Sequence, residues 1–111
     1  MNLFEWLLIG HLVGDYLFQT RWMAENKSSN WLPLLLHSMV YTGVVFVCSL
    51  PAGGITIVGI AVIFFSHLIL DKRNLVKWWT THITRSPDVF WLQLMVDQVF
   101  HVLVLVLVLA I

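Results

Sequence analysis

VFWLQLMVDQVFHVLVLVLVLAI, residues Val89 to Ile111, decides the class of fold. Its second half, Val102 to Ile111, contains no polar residue, so a helix built from it has no face to offer water. A soluble helical bundle needs such faces, whereas a helix surrounded by lipid does not. The first half nevertheless carries Asp97, Gln98 and His101. A charged side chain near the bilayer centre costs roughly 2.5–3.5 kcal/mol on insertion scales, so residues of this kind face the protein interior and mark a site.

The rest of the 111-residue chain repeats the design. It is 59% hydrophobic, with six Lys/Arg, six Asp/Glu, zero formal net charge and a mean hydropathy of +0.88. Four apolar stretches run from Leu3 to Gln19, Trp31 to Leu50, Ile55 to Asp71 and Val89 to Ile111. Each comes near the roughly 20 residues needed to span, or reaches that length with tilt or local thinning. The expectation is all-α: an integral membrane four-helix bundle, a single transmembrane domain over residues 1–111, with helices at about 3–19, 31–50, 55–71 and 89–111. Pro51, Gly53 and Gly54 make a tight connection between the second and third helices.

All six basic residues, Arg21, Lys27, Lys72, Arg73, Lys77 and Arg85, fall in the other two connectors. The positive-inside rule places those connectors in the cytoplasm and both termini on the opposite side. Trp22, Trp31, Trp78, Trp79 and Trp91 flank the basic side, with Trp6 near the other end, as an aromatic belt would. The stretch Lys72 to Arg85 mixes bases with Leu75, Val76, Trp78, Trp79 and Ile83 and suits a segment lying in the interface. The first apolar stretch carries Glu5, His11 and Asp15 without a basic leader or small-residue cleavage site, so it is not read as a cleaved signal. A lone Cys48 makes no intrachain disulfide, and the absence of net charge gives no ground for nucleic-acid binding.

Residues four apart share a helix face. His11 therefore projects with Asp15, and Gln19 continues the stripe; His37 pairs with Tyr41, His67 with Asp71, and Asp97 with His101, beside Gln98. Because helix direction alternates, all four stripes lie in the cytoplasmic half, with His11 about 12 Å inside Gln19. Four histidines and three aspartates, His11, Asp15, His37, His67, Asp71, Asp97 and His101, are ligand types for a divalent metal, and bundle cores hold such sites. Zinc is the first choice, with manganese or iron also compatible. Seven candidates exceed one tetrahedral shell, so two ions sharing an aspartate fit them better. Gln19, Tyr41 and Gln98 are expected to support the ligands, and His82 to lie outside the set. Gly10 and Gly14 form a G-x-x-x-G step that allows close approach of a helix inside the bundle or in a homodimer.

The ordered set Gly10 to Gln19 (GHLVGDYLFQ), Lys27, Leu34 to Tyr41 (LLLHSMVY), Ser66 to Lys72 (SHLILDK) and Asp97 to His101 (DQVFH) resembles a small bacterial membrane-protein family of unassigned function. The SHLILD step is also similar to bacterial inner-membrane metal-dependent hydrolases, themselves distantly similar to zinc-dependent phospholipase C and S1/P1-type nucleases. That second resemblance implies a multinuclear zinc cluster on the seven ligands, phosphoester hydrolysis and an inner-membrane location. Asn74 stands where the resemblance leads one to expect a lysine, with Lys72, Arg73 and Lys77 close by.

The leading functional expectation is a membrane-embedded metal-dependent hydrolase acting on a lipid or lipid-linked phosphoester at the cytoplasmic face. Asp15 or Asp97, where not coordinating, would act as general base, and Lys27, Lys72 and Arg73 would hold an anionic headgroup. Two readings stay beside it. A metal-ion or proton-coupled transporter would need polar residues continuing to the far side, where Glu5 is the conspicuous one. Haem held by two histidines would leave the aspartates unexplained.

Overall fold

The structure, a computed structural model, describes residues 1–111. It is all-α, with six α-helices: α1 (Leu3–Leu12), α2 (Arg21–Asn26), α3 (Trp31–Ser49), α4 (Ile57–Asp71), α5 (Asn74–His82) and α6 (Phe90–Val108). A π-helical turn, Val13–Leu17, continues α1, and a 3-10 turn, Leu50–Ala52, continues α3. α1 packs on α3, α3 on α4, α4 on α6, and α6 returns to α1; α2 rests on α3, and α5 lies against α4 and α6.

Helix starts follow local chemistry. Asn2 Oδ1 accepts from Glu5 N–H at 2.8 Å and Glu5 Oε2 accepts from Asn2 N–H at 3.1 Å, a reciprocal cap for α1. Glu5, the conspicuous polar residue of the far side, thus has a local role. Thr20 and Thr56 cap α2 and α4 through their hydroxyls. Pro33 sits in the first turn of α3, where a missing N–H costs nothing. The reversal after α3 relies on Gly53 and Gly54 at φ +100° and +80°.

Three features differ from the sequence expectation. The first helix does not run unbroken to Gln19: it widens at Val13–Leu17 and breaks at Phe18 (φ −109°, ψ 20°). α2 is new; six residues are too few to show a hydrophobic period, although Thr20 as cap and the Arg21–Glu25 ion pair at 2.7 Å are its local supports. The last helix ends at Val108 and tightens into a turn, in which the N–H groups of Leu109, Ala110 and Ile111 donate to the carbonyls of Val106, Leu107 and Val108. Within the stretch Lys72 to Arg85, expected to lie in the interface, the structure forms α5, which buries Val76 and Thr80, one turn apart, and rests Trp79 edge-on against Phe100 with ring centroids 5.4 Å apart.

Close approach of α1 to α3 answers the G-x-x-x-G question. A Cβ on Gly10 would lie 2.9 Å from Val45 Cα, and one on Gly14 would lie 3.3 Å from Tyr41 Cα. The step serves packing within the chain.

Polarity is inverted relative to an ordinary soluble fold. Buried polar and charged residues outnumber buried hydrophobic ones, while Leu32, Met39, Val47, Ile57, Phe65 and Leu107 are all more than half exposed. Two helical stretches, Trp31–Ala52 and Phe90–Val108, are long and apolar enough to cross a membrane, and Ile57–Asp71 is a shorter apolar helix.

Inside, side chains stack in layers one helical turn apart. Leu7, Val45, Ile63 and Leu105 belong to an apolar plug with Tyr41 and Val108. One turn on come His11, Tyr41, His67 and His101, whose rings pack together; Tyr41 stacks on His67 at a centroid distance of 4.0 Å. One further turn brings Asp15, His37, Asp71 and Asp97. Each layer draws one side chain from each of α1 with its π turn, α3, α4 and α6.

Candidate metal centre

The last two layers form a closed polar cluster. His11, Asp15, His37, His67, Asp71, Asp97 and His101 are all at most 4% exposed. Six of the seven expected ligands resolve into two groups whose ligand atoms lie within 4.8 Å of one another: Asp15, His37, His67 and Asp71, and then Asp71, Asp97 and His101. Asp71 belongs to both.

In the first group, His37 Nε2 lies 3.0 Å from Asp15 Oδ1 and 3.2 Å from Asp71 Oδ2, and His67 Nε2 lies 3.7 and 3.5 Å from the same two oxygens. Two ligand atoms on one tetrahedral ion with bonds of about 2.0–2.1 Å are about 3.3 Å apart. The four separations straddle that value. Of these contacts only His37 to Asp15 is aligned as a hydrogen bond; His67 Nε2 is buried with no hydrogen-bond partner, and Asp71 Oδ2, which accepts no aligned hydrogen bond, has the Lys27 ammonium 3.1 Å away. A buried atom left in this way is costly unless a hydrogen-bond partner or a cation satisfies it.

The second group carries the same signature. His101 Nδ1–H donates to the backbone carbonyl of Asp97 at 2.7 Å, since a carbonyl can only accept. In the neutral ring this turns the Nε2 lone pair toward Asp71 Oδ1, 3.3 Å away. Two lone pairs would face each other there, so the pair calls for a proton on Nε2 or a metal ion held between the two atoms. His101 Nε2 and Asp97 Oδ1 are likewise buried without a hydrogen-bond partner.

Surrounding groups orient the ligands. Ser38 Oγ lies 3.1 Å from His67 Nδ1 and, as acceptor from that nitrogen, leaves Nε2 free to ligate. Gln98 Nε2 donates to Asp15 Oδ2 at 3.2 Å and to Asp97 Oδ2 at 3.3 Å, so it spans the two groups. Its Oε1 must then accept from His11 Nε2–H at 2.8 Å, and His11 Nδ1 accepts from the Tyr41 hydroxyl at 2.7 Å. Tyr41, His11 and Gln98 form one polarised chain ending on two carboxylates.

This chain places several expected residues. His11 lies in the cluster with both ring nitrogens already bonded, outside either ligand group. Tyr41 and Gln98 touch the site. Gln19 makes no hydrogen bond to it: beyond the π turn the stripe breaks, and Gln19 Oε1 is buried without a partner. His82 is exposed on α5, with Nδ1–H donating to Trp78 O at 3.1 Å. Lys72 Nζ stands 4.1 Å above the Trp31 ring, and Arg73 occupies the left-handed region at φ 64° just after α4.

Two residues have roles that helix periodicity did not disclose. Ser38 adjoins His37, but its partner is on α4. Lys27, expected at the headgroup level, instead enters the cluster: it is 8% exposed and its Nζ lies 3.1 Å from Asp71 Oδ2. A basic residue in a connector gives no sign of which way it will turn.

Over residues 3–111 the chain matches the family described as proteins of unknown function (DUF3307), and it belongs to that family. No curated protein and no solved structure matches it.

Proposed function

We propose, for this member of a family without an assigned function, a membrane-embedded two-metal hydrolase that acts on a lipid or lipid-linked phosphoester. The observation that carries the proposal is the position of Asp71. Its Oδ2 faces His37 and His67, and its Oδ1 faces His101, so one carboxylate serves two ligand groups. A carboxylate placed in this way could serve both members of a pair of ions, such as two-metal sites hold about 3.5–4 Å apart.

A metal pair there would polarise a phosphoryl oxygen and lower the pKa of water toward about 7. Zinc suits the mixed imidazole and carboxylate set, and manganese or iron would also accept it. Hydrolysis adds the oxygen of water to phosphorus and breaks the bond to the ester oxygen; that oxygen leaves with the electron pair and takes up a proton. Where Asp97 Oδ1 is not taken up by an ion it would be the carboxylate oxygen placed to receive the proton of water, since it has no hydrogen-bond partner, whereas both oxygens of Asp15 are held, by His37 and Gln98.

The bilayer half of the proposal draws on the apolar exterior and the two long apolar helices. In that setting the basic connectors face the cytoplasm, both termini lie opposite, and Lys72 and Arg73 stand where headgroups lie. The plug of Leu7, Val45, Ile63 and Leu105 favours hydrolysis over transport, because it blocks the polar path on the far side. The His37 and His67 rings, 4.8 Å apart and tilted by 55°, leave no slab for a haem between them.

The test is elemental mass spectrometry of protein purified in detergent without chelator, beside a His67→Ala/Asp97→Ala variant, followed by a phosphoester screen. About two ions per chain, lost in the variant, is the expected result. Folded protein that carries no metal and takes up none on reloading overturns the proposal.

A further inference from the structure

Lys27 is the one basic side chain drawn into the cluster. Its Nζ lies 3.1 Å from Asp71 Oδ2, the same oxygen that faces His37 Nε2 at 3.2 Å and His67 Nε2 at 3.5 Å. Buried charges interact strongly because little solvent screens them. Asp15, His37, His67 and Asp71 would hold an ion through the oxygen that the ammonium now uses, so the two cations would compete for it. The ion has three other ligands to hold it; the ammonium is a point charge on a flexible four-carbon stem. With the ion bound, the ammonium would be the one to give way, and a second anion would then be its partner.

Resting on the two-metal reading, we propose that Lys27 binds the substrate's anionic group at the metal centre, and that this group is a doubly charged terminal phosphate, as in a phosphomonoester. Charge balance selects that class. Two divalent ions against Asp15, Asp71 and Asp97 leave one positive charge, and Lys27 raises it to two. A phosphate dianion cancels both charges. A phosphodiester leaves one uncompensated and a neutral ester leaves two, each costly in a closed site. Lys72, engaged on Trp31, does not alter this count within the cluster.

The experiment is calorimetric titration of metal-loaded, detergent-solubilised protein with three probes: inorganic phosphate, dimethyl phosphate and short-chain phosphatidate. Wild type, Lys27→Arg and Lys27→Met are compared, and the metal content of each is measured first. Wild type should bind inorganic phosphate at least about tenfold more tightly than dimethyl phosphate, the scale of one charge-assisted hydrogen bond. Lys27→Met should keep its ions and lose phosphate affinity by about tenfold or more, with Lys27→Arg recovering part of it. Phosphatidate binding more tightly than inorganic phosphate assigns the dianion to a lipid headgroup; equal affinities assign it to a free phosphate compound, and both outcomes keep the role of Lys27. Unchanged phosphate affinity in metal-replete Lys27→Met, or a wild-type preference for dimethyl phosphate, overturns it while the metal reading stands. Metal-free wild type overturns both, and does so before phosphate is added. If Lys27→Met does not fold, the monoester against diester contrast in wild type and the Lys27→Arg variant decide.

Discussion

Asp71 Oδ1 lies 3.3 Å from His101 Nε2, and the other nitrogen of that ring is committed to the backbone carbonyl of Asp97. One carboxylate on α4 is thereby tied to a ring on α6, while its second oxygen turns to His37 and His67. Asp71→Asn should abolish binding of both ions, whereas Asp97→Asn should cost at most one. Ion counts per chain for the two variants check this, and equal losses would contradict the shared role of Asp71.

Ser38 holds His67 from behind without belonging to either ligand group. Ser38→Ala should weaken metal affinity by about 10–100-fold, the usual effect of removing an outer partner. Competition with a chromophoric chelator measures it. Affinity equal to wild type would show that His67 is positioned by ring packing alone.

Gly10 and Gly14 set the distance between α1 and α3. Gly10→Ala forces a methyl group to within 2.9 Å of the Val45 backbone, which has no flexible end to move aside. Destabilisation of about 1–3 kcal/mol follows from overpacking. Denaturant titration in detergent reads it, and a variant as stable as wild type would mean that the helices separate freely.

Arg73 adopts φ 64° directly after the helix that carries Asp71. A side chain in the left-handed region costs about 1–2 kcal/mol. Arg73→Gly should therefore raise stability by about 1 kcal/mol, offset in part by the freedom that glycine adds to the unfolded chain. The same denaturant titration tests the sign.

Three carboxylates in a closed cluster repel one another unless cations separate them. Chelation should lower thermal stability, and restoring metal at about 100 times its dissociation constant should return about 2.7 kcal/mol. Acidification should act like chelation, because imidazole and carboxylate ligands must lose protons to bind metal. Melting curves across metal concentration and pH check both, and indifference to chelator would argue for a metal-free polar network.

How far the sequence discloses the site depends on which physical rule each residue obeys. His67 and Asp71, or Asp97 and His101, share a face because the helix repeat alone puts them there, and that much is legible before folding. His11 obeys the same spacing and enters the cluster, yet it hydrogen-bonds Tyr41 and Gln98, partners on other helices. Gln19 obeys it on paper only, because the π turn at Val13–Leu17 interrupts the regular helix.

The amino-acid sequence by itself determined the all-α class, the apolar outer surface and the placing of imidazoles and carboxylates one turn apart, since these are properties of single helices. Only the tertiary structure decided that Asp71 serves two groups, that Gln98 spans them, that Ser38 supports His67 and that Lys27 turns inward. Those relations join atoms on different helices, within a few ångströms of one another. They exist only once α1 and its π turn, at the close-packed Gly10 and Gly14, have docked against α3 and α4 has met α6.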